Sequence, residues 1–146
     1  MKKYSVSYSE TSNAVTTEQI WKMWTDINNW PSWDKGLEFC AIPQNFCFAI
    51  GQSFKLRPIG VPVDFFTTIV DLKEKTFFKD KTETPFGTVE VLHSVHETAD
   101  GVCLTHHIEA VIYEHLVENF EKSHLTKWKI ELPQSVKNLI TKASVF

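Results

Sequence analysis

A chain of 146 residues with 42% hydrophobic and 23% charged residues has the length and balance of one folded domain with a substantial core. Its net charge of -3 supplies no basic surface for nucleic acid or an anionic membrane, and no apolar run approaches the length of a bilayer span. The basic start Met1-Lys-Lys-Tyr has no apolar stretch behind it, so no signal peptide is expected, and Cys40, Cys47 and Cys103 read as reduced thiols of a cytoplasmic protein rather than a zinc site or disulfide scaffold.

Tyr4 to Glu10 sets Tyr4, Val6 and Tyr8 against serines, the alternation of a first strand. At Val15-Thr-Thr-Glu-Gln-Ile20 a helix begins: Thr16 and Gln19 have the spacing of a capping box, and Val15 and Ile20 that of a hydrophobic staple. Ile20, Trp21, Trp24 and Ile27 form its apolar face. Trp30-Pro-Ser-Trp-Asp34 follows as a second short helix or turn, a Pro-stiffened corner between two indoles. Four of the five tryptophans fall between positions 21 and 33.

From Gly36 the period becomes two, with strands expected at 37–41, 54–57, 61–72, 77–84, 89–98 and 102–113. Leu37, Phe39 and Ala41 are read as one face of the first of these. Gly51, Pro58-Ile-Gly60, Pro85-Phe-Gly87 and Asp100-Gly101 punctuate them, the last as a hairpin turn. Six successive strands with short turns describe an antiparallel meander that must curl to protect its faces. After it, Leu116, Phe120, His124, Trp128, Leu132, Val136 and Ile140 recur every four residues as one stripe of a long helix, with Pro133 expected to kink it.

This order resembles the polyketide cyclase/dehydrase branch of the START-like (Bet v 1-like, SRPBCC) superfamily. The residues that carry the likeness are Thr16-Thr-Glu-Gln-Ile-Trp21, Trp24-Thr-Asp26, Trp30-Pro-Ser-Trp-Asp34 and Gly51-Gln-Ser-Phe54, then Phe78-x-Asp80, Leu104-Thr-His106 and Glu131-Leu-Pro-Gln-Ser-Val-Lys-Asn-Leu139. They span nearly the whole chain in the superfamily's order. The resemblance implies an α+β helix-grip fold: a curved antiparallel sheet of about seven strands wrapped on a long C-terminal helix, with two short helices after the first strand. It also implies a hydrophobic ligand cavity, but no particular reaction, since carriers, receptors, cyclases, hydrolases and co-chaperones share the scaffold.

The strand pattern places two histidines. If Asp100-Gly101 is the hairpin turn, Ala99 pairs with Val102, and Val89, Val91, His93 and Val95 share a face with Leu104, His106, Ile108, Ala110 and Ile112. His93 and His106 then point inward as diagonal neighbours. Phe78, Asp80 and Thr82 extend that face, with Asp80 opposite His93. Such a patch can anchor a ligand hydroxyl or carbonyl, act as a general base, or simply be satisfied by its own bonds and waters in a half-wet core. His93-x-x-His96 and His106-His107 split across opposite faces, so no metal is expected.

The sequence therefore predicts a binding protein for a small hydrophobic or aromatic molecule, without a cofactor. The expected lining is Trp30, Trp33, Phe39, Phe54, Phe78, His93, His106, Phe120, His124 and Trp128. Three alternatives remain open: an enzyme of cyclase, dehydratase or hydrolase type with His93, His106 or Asp80 as acid/base; a surface interaction module of co-chaperone type; and a cavity filled by its own Phe and Trp rings. Ligand identity and oligomeric state are not encoded in any of these patterns.

Overall fold

A computed structural model describes residues 1–145. Seven strands, β1 (Lys2–Ser12), β2 (Leu37–Ala41), β3 (Ser53–Pro58), β4 (Phe65–Lys73), β5 (Phe77–Thr84), β6 (Gly87–Thr98) and β7 (Gly101–Ile112), form one curled antiparallel sheet. Their order is β1-β7-β6-β5-β4-β3-β2. All connections within the meander β2 to β7 are to the next strand, and β1 closes the far side against β7. The fold class is α+β, as the sequence predicts.

The first helix, Thr17–Thr25, starts at the expected cap. Thr16 Oγ1 accepts the Gln19 N–H at 3.1 Å, and Gln19 Oε1 accepts the Thr16 N–H at 2.9 Å. Val15 and Ile20 are both buried, and Trp21, Met23 and Trp24 continue the buried face. A 3-10 helix, Ile27–Ser32, follows immediately and carries Trp30 and Pro31. Its position is tied back to the first helix by the Trp30 indole, which donates to the Trp24 carbonyl at 2.9 Å.

The long terminal helix is built from Val117–Phe120, a π-helical turn at Glu121–Leu125, and Thr126–Ala143, which contains Pro133. The π turn has a reason in the sequence. A stripe repeating every four residues drifts around a helix of 3.6 residues per turn, and a widened turn takes up part of the drift. The remainder appears further on: Leu132 and Val136 are buried, but Ile140 is only half-buried, and Leu139 and Ala143 take over the inward face.

Two strand assignments need correction. The β6–β7 turn is Ala99-Asp100, with Thr98 paired to Gly101, so the register differs by one pair from the one inferred from Asp-Gly. Gly101 is required for a different contact: it has φ +129°, and a Cβ there would lie 2.4 Å from the Ser12 carbonyl oxygen on β1. In β2 a bulge between Leu37 and Phe39 interrupts the alternation, and Cys40 rather than Phe39 turns inward, paired with Leu56. Phe39 lies on the outer face, 38% exposed, with the Arg57 guanidinium 5.1 Å from its ring.

Gly101→Ala should lower the urea midpoint, corresponding to a loss on the order of 2 kcal/mol, because both the positive φ and the β1 backbone oppose a methyl group. An unchanged midpoint would contradict the close approach of β1 to β7.

Candidate site on the inner face of the sheet

Cross-strand pairing arranges the inner face in rows. One row is Leu72, Phe78, His93, His106 and Tyr8; the next is Ile69, Asp80, Val91, Ile108 and Val6; a third is Thr67, Thr82, Val89, Ala110 and Tyr4. His93 and His106 are direct partners rather than diagonal ones, and Phe78, not Asp80, stands opposite His93. The first follows from the β6–β7 turn at Ala99-Asp100, and the second from the β5–β6 turn at Pro85-Phe86, where Thr84 pairs with Gly87. The inward direction survives because a shift by one whole pair preserves which residues share a face.

The histidines are held by rings on every side. His93 lies 4% exposed and stacks on Phe78 with ring centres 3.9 Å apart and planes 6° from parallel. His106 lies 3% exposed, and its ring centre is 4.7 Å from that of His93. Trp24 sits over both at 5.8 Å, Trp30 is 6.0 Å from His93, and Trp33 is 5.7 Å from His106. Trp24 Nε1–H donates to His106 Nε2 at 3.2 Å, so that nitrogen presents its lone pair and the imidazole is neutral. His93 Nδ1 lies 3.4 Å from the Phe78 carbonyl and, as the protonated nitrogen, donates to it. Burial pushes the His106 pKa down to about 3. Burial, and secondarily the neighbouring His106, holds His93 well below the ordinary range.

One row away the polar groups are acids. Asp80 is 4% exposed and has no hydrogen-bond partner among the described residues, although the neighbouring Thr67 and Thr82 hydroxyls bond each other at 2.7 Å. Burial, reinforced by Asp34 and Glu90, pushes its pKa up to about 8. The Asp34 carboxyl also turns inward, with Oδ1 accepting from the Gly36 N–H at 2.9 Å and from Ser135 Oγ at 3.5 Å. Burial raises it to about 6, and Glu131 on the terminal helix adds to the rise while the Gly36 and Ser135 bonds oppose it. Burial, with Asp34 and Asp80 beside it, pushes the Cys40 thiol up to about 12. The indole N–H of Trp33 is buried without a partner among the described residues.

The predicted lining residues thus fall into three places. Trp30, Trp33, Phe54, Phe78, His93 and His106 pack in one cluster, and Phe54 meets Trp30 with ring centres 5.2 Å apart. Phe120, His124 and Trp128 belong to a second group at the other end of the sheet, where Phe86 stacks on His124 at 4.8 Å. Phe39 is outside. Trp24, read from its helix as core filling, is core and also the hydrogen-bond donor to His106. Asp34, Cys40 and Glu131 were not singled out by sequence. The available signal was the carboxylate directly after the Trp-rich corner and two residues before a glycine, the spacing of an Asx turn.

On the inner face Val6, Val91 and Ile108 are half-buried, with Tyr4 and Val89 on one side of them and Tyr8 on the other also half-buried. Two surface hollows lie elsewhere. One of about 360 Å³ is bordered by Met23, Asn29 and Lys142, and one of about 250 Å³ by Ile42, Phe54 and Phe66. Among the described residues, no group of three or more His, Cys, Asp or Glu is arranged to hold a metal ion, and no helix is long and apolar enough to cross a membrane.

This architecture is a Bet v 1-like fold, shared with solved structures of low sequence identity. The solved structures it resembles include Ara h 8.0201, at 9% identity and TM-score 0.65 over 99% of this chain and 100% of that one. The di-domain ARO/CYC StfQ from the steffimycin biosynthetic pathway aligns at 12% identity and TM-score 0.73 over 99% of this chain and 50% of StfQ. A protein from Mesorhizobium loti aligns at 12% identity and TM-score 0.67 over 94% of this chain and 95% of that one. No family model and no curated protein matches the sequence.

In the folded protein Asp80 keeps its proton up to about pH 8, whereas the unfolded chain loses it near pH 4. Its contribution is therefore most favourable at acid pH and is lost as pH rises through that window. Asp80→Asn should match the parent near pH 4 and exceed it increasingly as pH rises, by about 1.4 kcal/mol for each pH unit of that window up to about pH 8, in urea unfolding. Trp24→Phe removes the donor to His106 and should cost about 1–3 kcal/mol for the unpaired nitrogen, in addition to the lost ring volume. A variant as stable as the parent would show that this bond carries no weight.

Proposed function

We propose that this chain is a one-domain binding protein for a small apolar or aromatic molecule, held between the curled sheet and the terminal helix. The observation that carries the reading is the half-buried row Val6, Val91 and Ile108. Inward-facing aliphatic residues retain accessible surface only where the opposing layer stands off from them. Apolar burial supplies the affinity there, at about 25 cal/mol per Å² removed from water. The fold's likeness to StfQ and Ara h 8.0201 supports the same assignment.

A catalytic reading of cyclase or dehydratase type is favoured by one group. His93 and His106 are neutral, and the His106 Nε2 lone pair is already engaged by Trp24, so neither is poised to cycle a proton near neutral pH. Asp80, protonated at neutral pH and without a partner, is the candidate general acid in that case.

Native mass spectrometry of protein purified from its own host should show a small molecule retained by the chain, and Nile red should bind the emptied protein with a blue-shifted emission. Ile108→Trp should abolish dye binding while far-ultraviolet circular dichroism stays unchanged. Dye binding that persists undiminished in that variant would place the site elsewhere.

A further inference from the structure

Carboxyl groups from three separate elements form a chain of neighbours, with Glu131 beside Asp34 and Asp34 acting on Asp80, and the one cation acting on them is the exposed Lys127 next to Glu131. Asp80 projects from β5 on the inner face, Asp34 enters from the turn after the 3-10 helix, and Glu131 comes from the terminal helix. A Cβ placed on Gly36 would sit 3.0 Å from Glu131 Oε2 and 3.4 Å from Asp34 Oδ1, so those two carboxyls flank one point in space. Among the described residues no Lys or Arg is buried. Arg57 and Lys79, the two that are half-buried, are engaged by Glu38 and Asp64 and by Glu90. The buried histidines bring no charge, since they are neutral.

The independent feature is Asp80. It is more than nine-tenths buried, faces the interior, and no described donor reaches it. Buried polar groups are ordinarily paired, so an unpaired carboxyl in an otherwise apolar row marks a place where a donor from outside the chain belongs.

Resting on the binding reading above, we propose that the interior site selects an aromatic or apolar amine, with its ammonium seated against Asp80 and within the field of Asp34 and Glu131, and rejects carboxylates. An ammonium brings the donors that Asp80 lacks and the positive charge that Asp80 and Asp34 lack, Glu131 alone having Lys127 near it. The burial that keeps Asp80 protonated in the empty protein is offset by such a counter-charge, so amine binding releases a proton from Asp80. A carboxylate of the same shape adds a fourth acid to a low-dielectric interior and finds no buried cation.

The test uses the full chain, stripped of bound molecules, and three probes of one shape: naphthylmethylamine, naphthylmethanol and naphthoic acid. Dissociation constants are measured near neutral pH by tryptophan fluorescence and by calorimetry in two buffers of different ionisation enthalpy. The amine should bind about tenfold or more tighter than the alcohol, with proton release, and the acid at least about tenfold weaker than the alcohol. Asp80→Asn should bring the amine-to-alcohol ratio to within about threefold. Glu131→Gln, at a half-buried position that tolerates change, should lower that ratio in part. If the alcohol binds but the amine shows no preference over it, or the acid binds as well as the amine, the proposal is overturned and the binding reading stands. If none of the three binds, and Nile red does not either, both fall together.

Discussion

The hydrogen bond from the Trp24 indole to His106 Nε2 is the contact around which the interior is organised. It joins the first helix to the centre of the sheet, and it is possible only if His106 is neutral. Once His106 is neutral, His93 can lie directly opposite it without charge repulsion and stack flat on Phe78. Trp30 then follows, because its own indole bonds to the Trp24 carbonyl and its ring rests against Phe78 and His93. A cluster of aromatic rings is thereby given one arrangement by a few polar bonds that cannot be exchanged for others.

The acids obey the same electrostatic constraint with the opposite sign. Taking a charge out of water is expensive whether the group is an imidazolium or a carboxylate, so burial drives histidine pKa values down and aspartate pKa values up. His106 falls to about 3 and Asp80 rises to about 8. The two differ in how they are satisfied. His106 has Trp24, whereas Asp80 has no described donor. The rings and their polar bonds occupy one row of the sheet, and the adjacent row sets half-buried Val6, Val91 and Ile108 beside the unpaired carboxyl.

Much of this was legible in the amino-acid order. The capping box at Thr16 and Gln19, the sequence of strands, and the inward direction of both histidines depend on local spacing and on period-two alternation, which a single chain displays directly. Phe39 was misread because a bulge displaces the alternation by one residue, and nothing in Leu37–Ala41 announces it. Asp34 and Glu131 were missed for another reason: they are far apart in sequence, and only folding brings their carboxyls to the two sides of Gly36.

What the sequence determined by itself is the class of fold and, outside the bulged β2, which side of the strands holds their apolar residues, since both are consequences of periodicity and turn chemistry. The tertiary structure alone decided register, partner and protonation. A hairpin turn at Ala99-Asp100 rather than Asp100-Gly101 leaves every residue on the same face but changes who stands opposite whom. The pKa of a buried group depends on neighbours from other elements and on lost water, and neither quantity exists until the chain has closed around it.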